Sequence, residues 1–303
     1  MSETARRILS SAILVPLFLF SFYYPDWYYI QLYLLCGAAI YLGMHEFYAF
    51  ANKGDEGKPF IKTGIFYAFL IFSAYYIFLL SHQTKVPVPN ELKKFLEMFS
   101  GKDAVPAIIM TAFIHIYILQ ILFRQLDGAI YSTSSTIAGM LYLSIPCGHF
   151  LKLVSLENGI YYIWIVAGLT FITDAGAYFG GRWFGRHPAG LKISPKKTWE
   201  GYVTGLITSL IFTLTVNYFW PQITGKPTPM GYLELVLFTP VMSIISVAGD
   251  LSESAMKRDA KMKDSASVIP GHGGLLDLAD AVFFTVPASY IYISIKEALG
   301  MAV

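Results

Sequence analysis

Two aspartates three residues apart, Asp277 and Asp280, close the stretch "KDSASVIPGHGGLLDLADAVFF" at residues 263–284. Charge, proline and glycine give way there to an apolar run, and on a helix the two acids would share one face. A third aspartate, Asp250, ends an earlier apolar run, so the segment 250–278 can close to bring Asp250 and Asp277 together. Carboxylates placed this way suit a hard cation. Magnesium commonly takes one or two of them and leaves its other positions to water and substrate phosphates. Between the acids, "GDLSESAMKRDAKMKD" carries both signs of charge. Ser252 or Ser254 can cap a short helix on which Lys257, Lys261 and Asp264 face one way, with Arg258 beside them. Glu253 precedes Lys257 by four residues, the favourable order for an ion pair. Pro270, Gly271, Gly273 and Gly274 permit turns that other residues resist and let the chain approach a ligand closely. His272, inside that turn, either donates to a phosphate oxygen or caps the turn. Taken singly these features also have ordinary uses, since acids complement a helix N-terminus and mixed charges solvate a surface.

A second polar stretch, "GGRWFGRHPAGLKISPKKTWEGYV" at residues 180–203, supplies cations. Ser194 can cap a helix with Pro195 at its first position, where a missing N–H costs nothing. Lys196 and Lys197 would then occupy a first turn whose dipole disfavours cations, with Thr198 next to them. Two readings fit: a phosphate bound at the helix N-terminus, or lysines reaching to anionic lipid headgroups. Asp174 lies inside the apolar run "LTFITDAGAYF", where a charge is costly and marks a polar cavity or a functional contact. Gly176, Gly180 and Gly181 suit close helix packing. His45 and Glu46 also interrupt an apolar run and can join that cavity, whereas His115 and His149 read as hydrogen-bonded groups.

The elements that must position these residues are apolar. Of the 303 residues 55% are hydrophobic and 14% charged, and the mean hydropathy is +0.53. Soluble domains carry about 25% charge, so the composition is that of an integral membrane protein. Crossing a bilayer takes about 20 residues. The chain offers about nine such runs, near 8–24, 27–48, 61–82, 104–123, 133–154, 158–180, 201–220, 231–249 and 279–298. Arg6 and Arg7 precede a run that ends in bulky aromatics without a small-residue cleavage site, which reads as a retained anchor. The expected fold is all-α and multi-pass, with a polar cavity opening to the cytoplasmic face. An N-terminal transmembrane region would cover 1–130 and a catalytic region 131–303. Segments 181–200 and 250–278 are separated by two spans, so they share a face of the membrane whichever way the chain inserts. Residues 83–103 read as an extended piece and a short surface helix with Leu92, Phe95, Leu96 and Phe99 at helical spacing. Cys36 and Cys147 sit in apolar runs and imply no disulfide framework or zinc site. No Walker-type loop is present, so a nucleotide would be held by metal and lysines. A net charge of +2 says little about partners, and no nucleic-acid partner is expected.

These motifs together resemble the CDP-diacylglycerol synthases, also called phosphatidate cytidylyltransferases. The resemblance rests on Ser254, Lys257, Arg258, Lys263, Asp264, Pro270, His272, Gly273, Gly274, Asp277 and Asp280 in order, on "GDLSES" and "SPKKTWEG", and on "TDAGAYFGGRWFG". It covers residues from about 170 onward. One position departs: Leu278 stands where the family has arginine, which removes a phosphate contact or an ion pair. The resemblance implies that CTP and phosphatidate give CDP-diacylglycerol and pyrophosphate, with magnesium as cofactor and a site compatible with a second cation, catalysis being charge neutralisation and positioning. It implies Asp250 and Asp277 as metal-binding and catalytic carboxylates, with Asp280 and Asp264 as further metal ligands. It further implies Lys197 as a catalytic and substrate-binding group, and Ser194, Lys196, Thr198, Ser254, Lys257, Arg258, Lys263, His272 and Asp174 as substrate contacts. Membrane lipids surround the chain, and its GxxxG-type spacings are compatible with a homodimer. The rival readings are a paralogue impaired by Leu278, a CTP-dependent lipid kinase and a transporter.

Orientation follows from basic residues. With nine spans and the N-terminus inside, the inner segments hold 15 Lys and Arg and the outer segments 7. This places the N-terminus and the polar segments in the cytoplasm of a bacterial inner membrane. A reporter fused at Val303 is expected on the outer side; a cytoplasmic reporter would overturn the orientation.

Overall fold

The computed structural model describes residues 12–13, 16–18, 20–22, 28–54, 57–82, 88–262, 265–266 and 273–300. Helices make up most of it: α1 (Ile30–Phe50), α2 (Ile61–His82), α3 (Asn90–Glu97), α4 (Ala104–Phe123), α5 (Ala129–Ser155), α6 (Gly159–Phe184), α7 (Trp199–Thr224), α8 (Tyr232–Asp259), α9 (Leu275–Ala279) and α10 (Val282–Ala298). There is no strand among the described residues, only an isolated bridge between Pro188 and Thr198. Seven stretches there are long and apolar enough to cross a membrane: α2, α4, α5, α6, α7, α8, and α9 with α10 as Leu275–Ala298. The chain is therefore a multi-pass, all-helical membrane protein. The expected run at 27–48 forms α1, which carries Gln31, His45 and Glu46 and is not among the seven. Of the expected run at 8–24, residues 12–13, 16–18 and 20–22 are described and are helical, and the rest lie outside the described residues.

The chain divides into two compact units. The first comprises Met1–Ser155 with Asp259–Leu278, the second Leu156–Arg258 with Ala279–Val303.

In the first unit α2 packs on α5, α1 and α4, and α1 on α5. Aromatic rings fill the notches left by glycines. Tyr48 lies against Gly64 and Gly139, and Tyr75 against Gly148. Tyr48 is wholly buried and donates its hydroxyl to the Thr136 carbonyl at 2.8 Å, satisfying its one polar atom. The short helix α3 forms as expected, with Leu96 buried and Leu92, Phe95 and Phe99 exposed.

In the second unit α6 and α7 make the closest pairing. A Cβ on Gly205 would lie 2.6 Å from the Thr173 carbonyl oxygen, and one on Gly201 2.8 Å from that of Ala177. Gly176 and Gly180 face Thr208 and Thr204 in turn, so these glycines do serve helix packing. Paired hydroxyls then link the helices: Thr170–Thr285 at 2.8 Å, Ser209–Ser243 at 2.9 Å, Thr173–Ser243 at 3.2 Å and Thr213–Thr239 at 2.9 Å. Tyr161 donates to Asn217 at 2.7 Å. Where water is excluded, such groups must find partners in one another.

Three local expectations are corrected. Ser194 does not cap a helix. The Lys197 N–H bonds the Ser194 carbonyl at 3.2 Å, closing a turn with Pro195 at its second position, the place where a fixed φ is favourable. The helix begins after Thr198, whose extended backbone and hydroxyl, accepting from the Gly201 N–H at 3.2 Å, make it the N-cap. Lys196 and Lys197 therefore escape the unfavourable dipole, and Glu200 takes the acidic place in the first turn. Second, neither Ser252 nor Ser254 starts a new helix, because α8 runs unbroken through them to Asp259. Ser252 bonds back to the Ala248 carbonyl at 2.7 Å. At 1.5 Å per residue its 28 residues span about 42 Å, more than the ~30 Å hydrocarbon core. Third, Asp277 and Asp280 do not share a face of one continuous helix. α9 stops at Ala279, and the Asp280 carboxylate accepts the N–H of Ala281 at 2.6 Å, a local bond that competes with the helical ladder.

The α6–α7 contact gives a direct test. Gly205→Ala should destabilise the detergent-solubilised protein by about 1–3 kcal/mol through overpacking, read as a lower thermal midpoint. Gly231→Ala, where a Cβ meets nothing within 4 Å, should leave the midpoint unchanged. Equal midpoints for the two would remove the packing argument.

Candidate active site

The second unit gathers charged side chains from four elements. Asp174 comes from α6, Lys197 from the loop before α7, Asp250, Glu253 and Lys257 from the C-terminal part of α8, and Asp280 from the turn before α10. The loop is tightly built. The Ala189 N–H reaches the Lys197 carbonyl at 2.8 Å and the Trp199 N–H the His187 carbonyl at 3.0 Å. Glu200 folds back to accept the N–H groups of Arg186 and His187 at 3.1 and 3.2 Å and lies 2.5 Å from the His187 ring. Arg258 donates to the Ile193 carbonyl at 3.4 Å. Within this frame Lys196 is exposed, whereas Lys197 turns inward to an ion pair with Asp250.

Glu253 is wholly buried and pairs with Lys257 at 2.5 Å. Gly249 lets α8 pass the Asp280 turn. A Cβ there would lie 2.7 Å from the Asp280 carbonyl oxygen and 2.9 Å from the Ala281 Cα. Electrostatics link the group further: Lys197 feels Asp174 and Asp280, and Asp280 feels Asp174, Glu253 and Lys257. Burial pushes the Lys197 ammonium below the usual lysine range, and the two aspartates pull it partly back. Four carboxylates against two ammonium groups leave two negative charges when all are ionised. Glu253 and Asp280 are buried, Asp250 is half-buried and Asp174 is exposed, so the excess lies partly in reach of solvent, where it attracts a cation.

Asp277 belongs to the first unit. Its Oδ2 accepts three bonds, from the N–H and hydroxyl of Ser265 at 2.9 and 2.7 Å and from the Gly274 N–H at 2.8 Å. Gly273 has φ +91°, a conformation that favours glycine, and a Cβ there would lie 2.6 Å from Asp277 Oδ2. Gly273 therefore makes room for a carboxylate of the chain itself.

The expected residues thus fall into these two groups, and each is described in its own unit. Ser194 and Thr198 shape the Lys197 loop, Ser254 is half-buried on α8, and Arg258 is exposed. Lys263, Asp264 and His272 lie outside the described residues. Sequence reasoning missed Ser265, which no motif marks, and took Glu253 only for a helix-surface partner of Lys257. Its spacing one turn from Asp250 was the available signal. His115 and His149 are hydrogen-bonded, to Tyr67 at 3.1 Å and to the Ile145 carbonyl at 2.8 Å. Among the described residues no three His, Cys, Asp or Glu side chains converge to hold a metal by themselves. Hard oxygen donors in ones and twos do fit magnesium, which relies on phosphate oxygens and water for the rest.

Comparison with known proteins agrees with this chemistry. A phosphatidate cytidylyltransferase of Haemophilus influenzae is 41% identical over 137 residues, 45% of this chain and 46% of that protein. Phosphatidate cytidylyltransferase 4, chloroplastic, of Arabidopsis thaliana is 44% identical over 123 residues, 40% of this chain and 29% of that protein. The chain thus spans less than half the length of these two relatives. A phosphatidate cytidylyltransferase of Synechocystis is 29% identical across 95% of this chain and 96% of its own length. The profile of the cytidylyltransferase family matches residues 5–296, and the chain belongs to that family.

Proposed function

We propose that the chain is a phosphatidate cytidylyltransferase, joining CTP and phosphatidate to give CDP-diacylglycerol and pyrophosphate. The observation that carries this reading is the grouping of Lys197, from the loop before α7, with Asp174 of α6, Asp250 of α8 and Asp280 before α10. A lipid phosphate and an aqueous triphosphate can meet at such a place. In the reaction a phosphate oxygen of the lipid attacks the α-phosphorus of CTP, and the bond to the pyrophosphate oxygen breaks. The attacking oxygen is already ionised, so catalysis is positioning and charge neutralisation. Lys197 neutralises phosphate charge from inside the site, and exposed Lys196 and Arg258 attract the incoming nucleotide. Lys257, held by Glu253, adds a second fixed cation. Asp250 and Asp277 are assigned to magnesium, with Asp280 and Asp264 in support. When bound, magnesium supplies positive charge to phosphate oxygens. The site faces the cytoplasm of a bacterial inner membrane in this reading, as the basic-residue bias implies. Nine spans, counting the first two apolar runs, complete the topology.

The test is turnover in detergent micelles with phosphatidate, α-labelled CTP and magnesium. Label should enter the lipid phase only with metal present, and Asp277→Asn should lose most of that transfer. Label that stays aqueous while a phosphorylated lipid forms would make the chain a kinase instead. Leu278→Arg serves as the control for half-buried Leu278: label with arginine alone would mean that leucine cripples the site.

Lys197 also sets a pH dependence. A lysine works as a cation below its pKa, and burial lowers that pKa. The alkaline fall of kcat/KM for CTP should therefore come below the ordinary lysine value of about 10.4. Lys197→Arg should remove that limb, and Lys197→Ala should cost roughly 100-fold in kcat. An alkaline limb unchanged in the arginine variant would take Lys197 out of the profile.

A further inference from the structure

Glu46 lies outside both polar segments, on α1, yet it is bonded to residues about 220–230 positions away. Its side chain is nearly fully buried, 5% exposed. Oε1 accepts the N–H of Leu275 at 2.9 Å. Oε2 accepts the N–H of Leu276 at 2.9 Å and lies 2.9 Å from the Ser265 hydroxyl. That same hydroxyl lies 2.7 Å from Asp277 Oδ2. It has one proton, so it donates to one carboxylate at a time and ties the two together. Gly274 is the floor of this arrangement. A Cβ there would lie 1.9 Å from the Ser265 hydroxyl and 2.6 Å from Glu46 Oε2, so only glycine lets the carboxylate sit against the backbone.

We propose that Glu46 is a positioning residue for Asp277, fixing the turn and short helix from which Asp277 presents its carboxylate to magnesium. The proposal rests on the assignment of Asp277 as a magnesium-binding group. Glu46 fastens the first two amides of the short helix, Ser265 transmits the restraint, and Gly274 completes it on Asp277 Oδ2. The donors that Glu46 engages here are all neutral, two amides and one hydroxyl. A neutral acceptor would need less desolvation in this interior. A carboxylate gives stronger bonds and offers both oxygens as acceptors, one for each amide. Glutamine has a single acceptor oxygen and would set an amide NH2 against one of the N–H groups. Residues that orient a metal ligand in this way alter metal affinity by about 10- to 100-fold when replaced.

The experiment uses the full chain in detergent, with Glu46→Gln, Ser265→Ala and Asp277→Asn beside the unmodified protein. Manganese binding is followed by electron paramagnetic resonance without substrates, magnesium half-saturation by turnover, and folding by thermal midpoint. Glu46→Gln should raise the manganese dissociation constant and the magnesium half-saturation by the same factor, roughly 10- to 100-fold. Its kcat at saturating magnesium and its KM for CTP should change little. Ser265→Ala should move both metal readouts in the same direction by less. A Glu46→Gln protein with a lower midpoint but unchanged metal readouts would make Glu46 a structural residue only and overturn the proposal. If Glu46→Gln fails to fold, Ser265→Ala decides: unchanged metal readouts in that variant overturn the proposal. Asp277→Asn separates the underlying assignment. If it binds manganese as tightly as the unmodified chain, Asp277 is not a metal ligand and the role proposed for Glu46 falls with it. If it loses manganese while Glu46→Gln does not, only the role of Glu46 is lost.

Discussion

A half-buried lysine beside a half-buried aspartate is the interaction on which the second unit depends. Withdrawing either Lys197 or Asp250 from water alone would be costly. Each is tolerated because the other is in reach. That reach is a matter of backbone placement. The Ser194–Lys197 turn, the Thr198 cap and the Glu200 clamp fix the lysine. The glycines of α6 and α7 let the helices that flank the loop approach closely, and Gly249 lets α8 pass beside Asp280. Loosening any of these separates charges that cannot stand apart in an apolar surround.

The first unit applies the same rule to a different group. Asp277 Oδ2 accepts two amides, Glu46 accepts two others, and the two carboxylates share the Ser265 hydroxyl. Backbone amides suit this task because they carry no charge of their own. The carboxylate keeps its negative charge for whatever cation arrives. In the second unit the acids are instead balanced in part by lysines. The two groups thus satisfy buried carboxylates by different means, one by hydrogen bonds and one by ion pairs.

The sequence made the helices and the polar segments legible because both are strong signals. Apolar runs of bilayer length have few other uses, and charges between them stand out. Boundaries were less legible where two local chemistries compete. Ser-Pro reads equally as a cap with its N1 proline or as the first half of a turn, and the choice went to the turn because Thr198 was available as a second cap. The end of α8 was hidden because polar residues after Asp250 were taken for a loop, although helices extend freely beyond the hydrocarbon. The break at Asp280 depends on one side chain bonding the next amide, which spacing does not reveal. Glu46 and Ser265 could not be joined from the sequence at all, since no periodicity connects positions 219 apart. Thr and Ser pairs such as Thr213 with Thr239 were invisible for a related reason, because the same residues also bond their own helix backbone.

The unbroken run of α8 has a mechanical consequence. From Pro240 to Asp259 the helix continues without interruption, a rod of about 30 Å with no hinge between its lipid-embedded part and the charges near its end. Spanning helices tilt by about 20° on average and adjust that tilt to bilayer thickness. A change of 10° would swing the end of such a rod sideways by about 5 Å, more than the length of an ion pair. The hydroxyl contacts of Ser243 with Ser209 and Thr173 lie near its base and act as a brace against that swing. The helix is in effect a lever, and its lateral bracing decides whether Asp250 and Lys197 stay in register as the surrounding lipid changes.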